Sequence, residues 1–177
     1  MPFSSLSFYH PALREYRITI KPLYHSPFIC MHVRRARIDD VEKIARDNVL
    51  LAEESENKRI LYDITLKGVE EVISDMNKGF YLIAEEEDAI IGQMMVTYEW
   101  SDWRNEQMWW LQSIYVDRAW RKRGVMHALL ARVREMAKEE GVALLKLYVH
   151  ENNHAAMAAY EKSGMIRAPY IMYEMRV

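Results

Sequence analysis

Apolar residues run almost unbroken from Met108 to Val116, which predicts a strand covered on both faces. Beyond it, Met126, Leu129, Leu130, Val133, Met136 and Ala137 recur at the spacing of one helical face. They predict a long amphipathic helix that opens near Gly124 and stops at Gly141. Upstream, the pattern predicts a short strand over His32 to Arg37 and a helix from an Asp39 cap to about Glu54. A second helix follows, from a Thr65 cap to about Asn77, closed by Gly79. Phe80 to Glu85 and Ala89 to Glu99 read as two strands joined by the acidic turn Glu86-Glu87-Asp88. After the long helix come a strand over Ala143 to His150 and an Ala-rich helix capped by Asn152 or Asn153 and ending near Gly164. One or two closing strands are expected in Met165 to Val177. This order predicts an α/β fold in which helices flank a mixed sheet.

Length changes the picture little: 177 residues, half of them apolar, make one domain with or without a tail. Residues 1–30 are proline-rich and carry no sustained period, and they lack the basic start and compact apolar stretch of a secretory signal. They are expected to form a poorly ordered N-terminal extension, with the domain over 31–177. Met31, where the first strand pattern opens, is then a candidate initiator; peptides from upstream of it in the native protein would refute that start. A tail that packs on the domain is the competing expectation.

The net charge of −2 argues against general nucleic-acid binding. No apolar run approaches the ~18 residues of a membrane-spanning helix, so a cytoplasmic protein without membrane contact is expected. Cys30 is the only cysteine, so neither an internal disulfide nor a multi-cysteine zinc site is available. His150 and His154 straddle a strand end and a helix start rather than sharing one helical face, and no metal is expected.

Between the central strand and the long helix lies Asp117-Arg118-Ala119-Trp120-Arg121-Lys122-Arg123-Gly124. A helix start offers unpaired N–H groups and a positive dipole end, and glycine lets an anion approach the backbone closely. Four cations reinforce a phosphate reading. A solvated basic turn is the plain alternative.

The stretch Arg121-Lys122-Arg123-Gly124-Val125-Met126 resembles the [QR]-x-x-G-x-[GA] signature of the GNAT superfamily of acyl-CoA-dependent N-acetyltransferases. It departs at Met126, where that family usually has Gly or Ala. Asn153, Ala156, Tyr160 and Gly164 resemble the family's downstream N-x-x-A-x-x-x-Y-x-x-x-G block. The resemblance covers about Met31 to Val177. It implies the GNAT fold, with a mixed, mostly antiparallel sheet, and acetyl-CoA as co-substrate.

The resemblance also implies roles for individual residues. The pyrophosphate would sit on Arg121, Lys122, Arg123, Gly124, Val125 and Met126. The backbone of Ile114, Tyr115 and Val116 would pair with the pantetheine arm and hold the carbonyl oxygen. Asn153 would bond that arm or a water; as a residue it also reads as an ordinary helix cap. Tyr160 is the candidate general acid, since a phenol with a pKa near ~10 can protonate a departing thiolate; a core tyrosine is the alternative. Glu99 and Glu106 are candidate bases for the incoming amine, with Asp102 a third, and each also reads as a surface carboxylate.

All five tryptophans fall between positions 100 and 120. Trp100, Asp102 and Trp103 make an aromatic and acidic loop suited to a cationic amine, or to packing or a dimer contact. Together with the acidic run Leu51 to Glu56, this layout loosely resembles the diamine acetyltransferase branch. Trp109 and Trp110, adjacent on a strand, must point to opposite faces. With Cys30 outside the core pattern, direct attack of the amine on the thioester is expected, not an acyl-enzyme. The expected activity is acetyl transfer to a small primary amine. The alternatives are a peptide or protein N-acetyltransferase, or an acyl-CoA-binding sensor without turnover. The resemblance also admits a homodimer.

Overall fold

The computed structural model describes residues 16–20 and 29–177. Six strands form one sheet in chain order: β1 (Tyr16–Ile20), β2 (Ile29–Arg35), β3 (Phe80–Glu86), β4 (Ala89–Ser101), β5 (Glu106–Val116) and β6 (Leu144–Lys146). Neighbours pair antiparallel except β5 and β6, which are parallel. The expected mixed α/β architecture is present. Four helices flank the sheet: α1 (Val41–Glu56), α2 (Tyr62–Ser74), α3 (Val125–Glu139) and α4 (His154–Lys162).

Each face of the sheet has its own core. On one face Leu129 and Val133 of α3 pack with Leu82, Met94, Trp109 and Leu111 of the sheet, all essentially inaccessible. On the other face Ile44 and Ala45 of α1 and Val69 of α2 pack with Tyr81 and Ile83 of β3. Each large side chain buried this way contributes about 1.5–3 kcal/mol relative to exposure. The near-continuous apolar run in β5 follows from its being covered on both sides.

Several boundaries differ from expectation, for local reasons. Asp40, not Asp39, precedes α1; its carboxylate accepts from Arg34 Nη1 at 2.7 Å and from the Arg37 amide at 2.6 Å. α2 begins three residues before Thr65, whose hydroxyl instead donates to the Leu61 carbonyl inside the helix. Gly79 serves β3 rather than a helix end: at φ +145° a side chain there would meet the Val96 carbonyl at 2.1 Å.

Two strand expectations need correction. The strand expected over Ala143 to His150 is only Leu144–Lys146, pairing with Met108–Trp110. β5 carries a bulge at Ser113, at φ +48°, with a register shift against β4, and β6 does not follow it past that kink. The closing strands expected in Met165 to Val177 are not formed; that segment has no regular secondary structure and is exposed beyond Met165, Ile166, Tyr173 and Met175 included. A run of apolar residues forms a strand only where a hydrogen-bonding neighbour exists, and β6 offers three residues.

The first strand pattern begins earlier than His32, at Ile29, and Tyr16–Ile20 pairs with it from Tyr16↔Val33 to Ile20↔Ile29. For residues 1–15 and 21–28 the expected N-terminal extension lies outside the described residues. Among the described residues no helix is long and apolar enough to cross a membrane.

Candidate active site

The basic turn is pinned at both ends. The Asp117 amide donates to the Ile91 carbonyl at 3.0 Å, and the Trp120 amide to Asp117 at 2.8 Å. Lys122 and Gly124 take left-handed backbone angles, φ +61° and +87°, which swing the chain into α3. The first bond that closes the helix runs from the Ala128 amide to the Gly124 carbonyl at 3.0 Å. The amides of Val125 and Met126 therefore stand in the helix's orphan first turn. Gly92 on β4 lets that turn sit close: a side chain there would meet Val125 Cγ1 at 2.7 Å and the Tyr115 carbonyl at 3.2 Å. Met126, half-buried, packs its side chain on the α3-side core.

The cations of the turn are organised by neighbours. Arg121 Nε donates to the Val116 carbonyl at 2.9 Å, and its Nη2 to Glu54 Oε2 at 2.6 Å. Arg118 Nε donates to Glu54 Oε1 at 3.0 Å. Arg123 stacks over Trp120, and Lys122 is exposed. Glu54, in the last turn of α1, was legible only as part of a solvated acidic run. Burial pushes its carboxyl up, but hydrogen bonds from Arg121 and Arg118 outweigh this and hold it below the ordinary value.

Beside the turn, where β5 and β6 part, opens a cleft of about 470 Å³. Leu111 to Ile114 of β5, Tyr148 to His150, Asn153 and Tyr160 line it, with Leu51, Ser55 and Glu56 of α1 opposite. Asn153 and Tyr160 fall seven positions apart, two turns along one face of the α4 segment. Asn153 Oδ1 accepts the Ala156 amide at 3.1 Å, so it caps α4 and leaves its carboxamide N–H groups for another partner. Burial pushes the Tyr160 hydroxyl above its ordinary pKa, so it remains a proton donor through neutral pH.

Below the cleft, Gln112 Nε2 donates to Thr97 Oγ1 at 2.7 Å, and Tyr148 donates to Gln112 Oε1 at 3.3 Å. Gln112 and Tyr148 are site residues the sequence reading missed. A polar Gln within an apolar strand was the available signal for the first.

The expected bases and acceptor contacts separate. Glu99 pairs across from Met108, two residues along β4 from Thr97, and so shares the sheet face of Gln112 and Trp110. Its carboxylate accepts from Trp110 Nε1 and lies 2.7 Å from Lys146 Nζ. Glu106, Trp100, Asp102 and Trp103 cluster at the β4–β5 hairpin, about 17 Å along β5 from Leu111 at the usual strand rise. Trp100 and Trp103 are exposed there, and Asp102 Oδ1 accepts the Trp103 amide at 2.9 Å. The hairpin is not brought together with Tyr160. Trp109 is buried on the α3 side and Trp110 faces the other, as adjacent strand residues must. Among the described residues no group of three His, Cys, Asp or Glu is placed to hold a metal ion.

The model of the acetyltransferase (GNAT) family matches residues 38–165. Among solved structures, a possible acetyltransferase from Clostridium difficile 630 is 38% identical, with a TM-score of 0.78 over 83% of this chain and 97% of that one. A transcriptional regulator from Bacillus halodurans C-125 (22% identity, TM-score 0.72, 83% of this chain and 99% of that one) shares the fold. So does a ribosomal-protein-alanine N-acetyltransferase from Brucella melitensis biovar Abortus 2308 (17%, 0.68, 84% and 100%). No curated protein matches the chain. With a basic turn, a splayed strand pair and a half-buried tyrosine set along one edge, and with the family model spanning most of its length, the chain belongs to the GNAT acetyltransferase family and is an acyltransferase.

Proposed function

We propose that the protein transfers an acetyl group from acetyl-CoA to a primary amine of a small molecule, by direct attack within a ternary complex. One observation carries this reading. β6 pairs with β5 only over Met108–Trp110, and the strand edge left beyond it runs from the Tyr160 cleft to the basic turn. A bound thioester would lie along that edge as a strand does, pairing with the backbone of Ile114 to Val116. Its pyrophosphate would rest on the amides of Gly124, Val125 and Met126, with Arg121, Lys122 and Arg123 around it. Asn153 would hold the arm through the carboxamide N–H groups that capping leaves unused.

In this scheme the Ile114 N–H stabilises the negative charge that develops on the carbonyl oxygen. The amine nitrogen attacks the carbonyl carbon, the carbon–sulfur bond breaks, and the thiolate takes the proton of the Tyr160 hydroxyl. The amine's surplus proton leaves through water toward Glu99, the carboxylate that shares the cleft's sheet face. The cleft's volume of about 470 Å³ suits a small acceptor.

The test is product analysis by mass spectrometry after incubation with acetyl-CoA and separate pools of polyamines, amino acids, aminoglycosides and short peptides. Acetylation of a small amine supports the proposal. Acetylation of peptides alone would assign a larger acceptor, and CoA binding without any product would assign a sensor.

A further inference from the structure

The acidic end of α1 is bound into the basic turn. Glu54 is largely buried and receives three donors: Arg118 Nε at 3.0 Å, Arg121 Nη2 at 2.6 Å and the Tyr115 hydroxyl at 3.3 Å. It walls a cavity of about 450 Å³ with Leu50, Tyr115, Asp117 and Trp120, directly beside the Tyr160 cleft. One turn of α1 thus faces both spaces, with Leu51 and Ser55 toward the cleft and Leu50 and Glu54 toward the turn. Lys43, at the other end of α1, reaches Asp47 at 2.6 Å and Asp117 at 3.4 Å.

The geometry points to Glu54 as a positioning residue for phosphate binding, an inference that rests on the acetyl-CoA reading above. It holds the inner edges of Arg118 and Arg121 so that their outer N–H groups are set for the cofactor's phosphates. The division of donors supports this. Arg121 spends Nε on Val116 and one Nη2 hydrogen bond on Glu54, which leaves Nη1 uncommitted. Arg118 spends Nε on Glu54 and keeps both Nη groups. A guanidinium fork is planar and rigid, so fixing one edge orients the other. Arginines held this way lose less freedom when an anion arrives. Two carboxylates, Glu54 and Asp117, against the turn's four cations still leave the site positive.

Pure electrostatics predicts the opposite sign: removing the anion would make the turn more positive and CoA tighter. The two accounts therefore separate in one titration. CoA binding is measured by calorimetry for wild type, Glu54→Gln, the Arg118→Ala/Arg121→Ala pair, and the triple variant. Positioning predicts that Glu54→Gln weakens CoA about tenfold, that the arginine pair weakens it at least as much, and that the triple variant is no weaker than the pair. Arg121→Lys, which keeps the charge and loses the fork, should weaken CoA about fivefold and serves if Glu54→Gln misfolds. Unchanged or tighter binding by a folded Glu54→Gln would overturn the inference. So would a further tenfold loss in the triple variant, since Glu54 would then act without the arginines. Failure of the wild type to bind CoA would defeat the cofactor reading itself, and this inference with it.

Discussion

The Lys146 ammonium on β6 lies 2.7 Å from the Glu99 carboxylate on β4, reaching across β5 between them. The hydrogen bond from Lys146, aided by Trp110 and only partly opposed by burial, holds Glu99 below its ordinary pKa. The pair therefore stabilises the fold above the unfolded carboxyl's value and loses that contribution as pH falls through the depressed folded one. A base held so firmly anionic accepts a proton less readily. Glu99→Gln is expected to lower kcat/KM about tenfold, below the usual ~10²–10⁴-fold of a general base. Lys146→Met should move the acid limb of the pH–rate profile upward. An unchanged rate in Glu99→Gln would remove it from the mechanism.

Gly92→Ala tests the seating of the turn. A methyl at 2.7 Å from Val125 and 3.2 Å from the Tyr115 carbonyl forces the start of α3 away from β4. A loss of about 1–3 kcal/mol of stability is expected from the overpacking, with CoA affinity down about tenfold. Denaturant melts and CoA titration read the two effects separately. Intact affinity in a destabilised variant would show that the turn tolerates the shift.

Met126 asks whether a large side chain at that position of the turn hinders phosphate binding. Its side chain packs into the core while its amide stays in the orphan turn. Met126→Ala is predicted to cost about 1–2 kcal/mol of stability, less than a fully buried methionine, through the lost packing. CoA affinity should stay within about threefold, because the amide is the phosphate donor. A large gain in affinity would show that the methionine obstructs the site.

Asn153 has two duties that one substitution can separate. Asn153→Asp keeps an oxygen to accept the Ala156 amide and should leave stability nearly unchanged, whereas Asn153→Ala should lose about 1 kcal/mol. Both remove the carboxamide N–H donors, so both should weaken acetyl-CoA. Full affinity in Asn153→Asp would reduce the residue to a helix cap.

What was legible in the sequence follows from which physics acts locally. The β5–turn–α3 unit could be read because periodicity, a glycine and the cation cluster all lie within one stretch, Met108 to Ala137. Asn153 and Tyr160 were readable because their spacing with Ala156 and Gly164 resembles the family's downstream block. Glu54 was not: its meaning comes from Arg121, far along the chain, and a lone acidic run carries no record of that partner. Nor does the apolar content of Met165 to Val177 reveal whether a neighbouring strand is long enough to pair with. The hairpin tryptophans looked site-like because with Asp102 they make an aromatic and acidic loop, but the direction of the strand carries them to its far end.

The proposal depends most directly on Tyr160. Free-thiol release from acetyl-CoA should be followed for wild type and Tyr160→Phe with the best amine, alongside CoA titration of both. The expected result is a fall in kcat of about 10²–10⁴-fold with CoA affinity held within about twofold, since only the proton donor is lost. Because burial raises the Tyr160 pKa, the wild-type rate should decline only in the alkaline range, above the ordinary phenol value. A Tyr160→Phe variant that turns over at the wild-type rate would contradict the assignment of the general acid, and with it the mechanism proposed for this cleft.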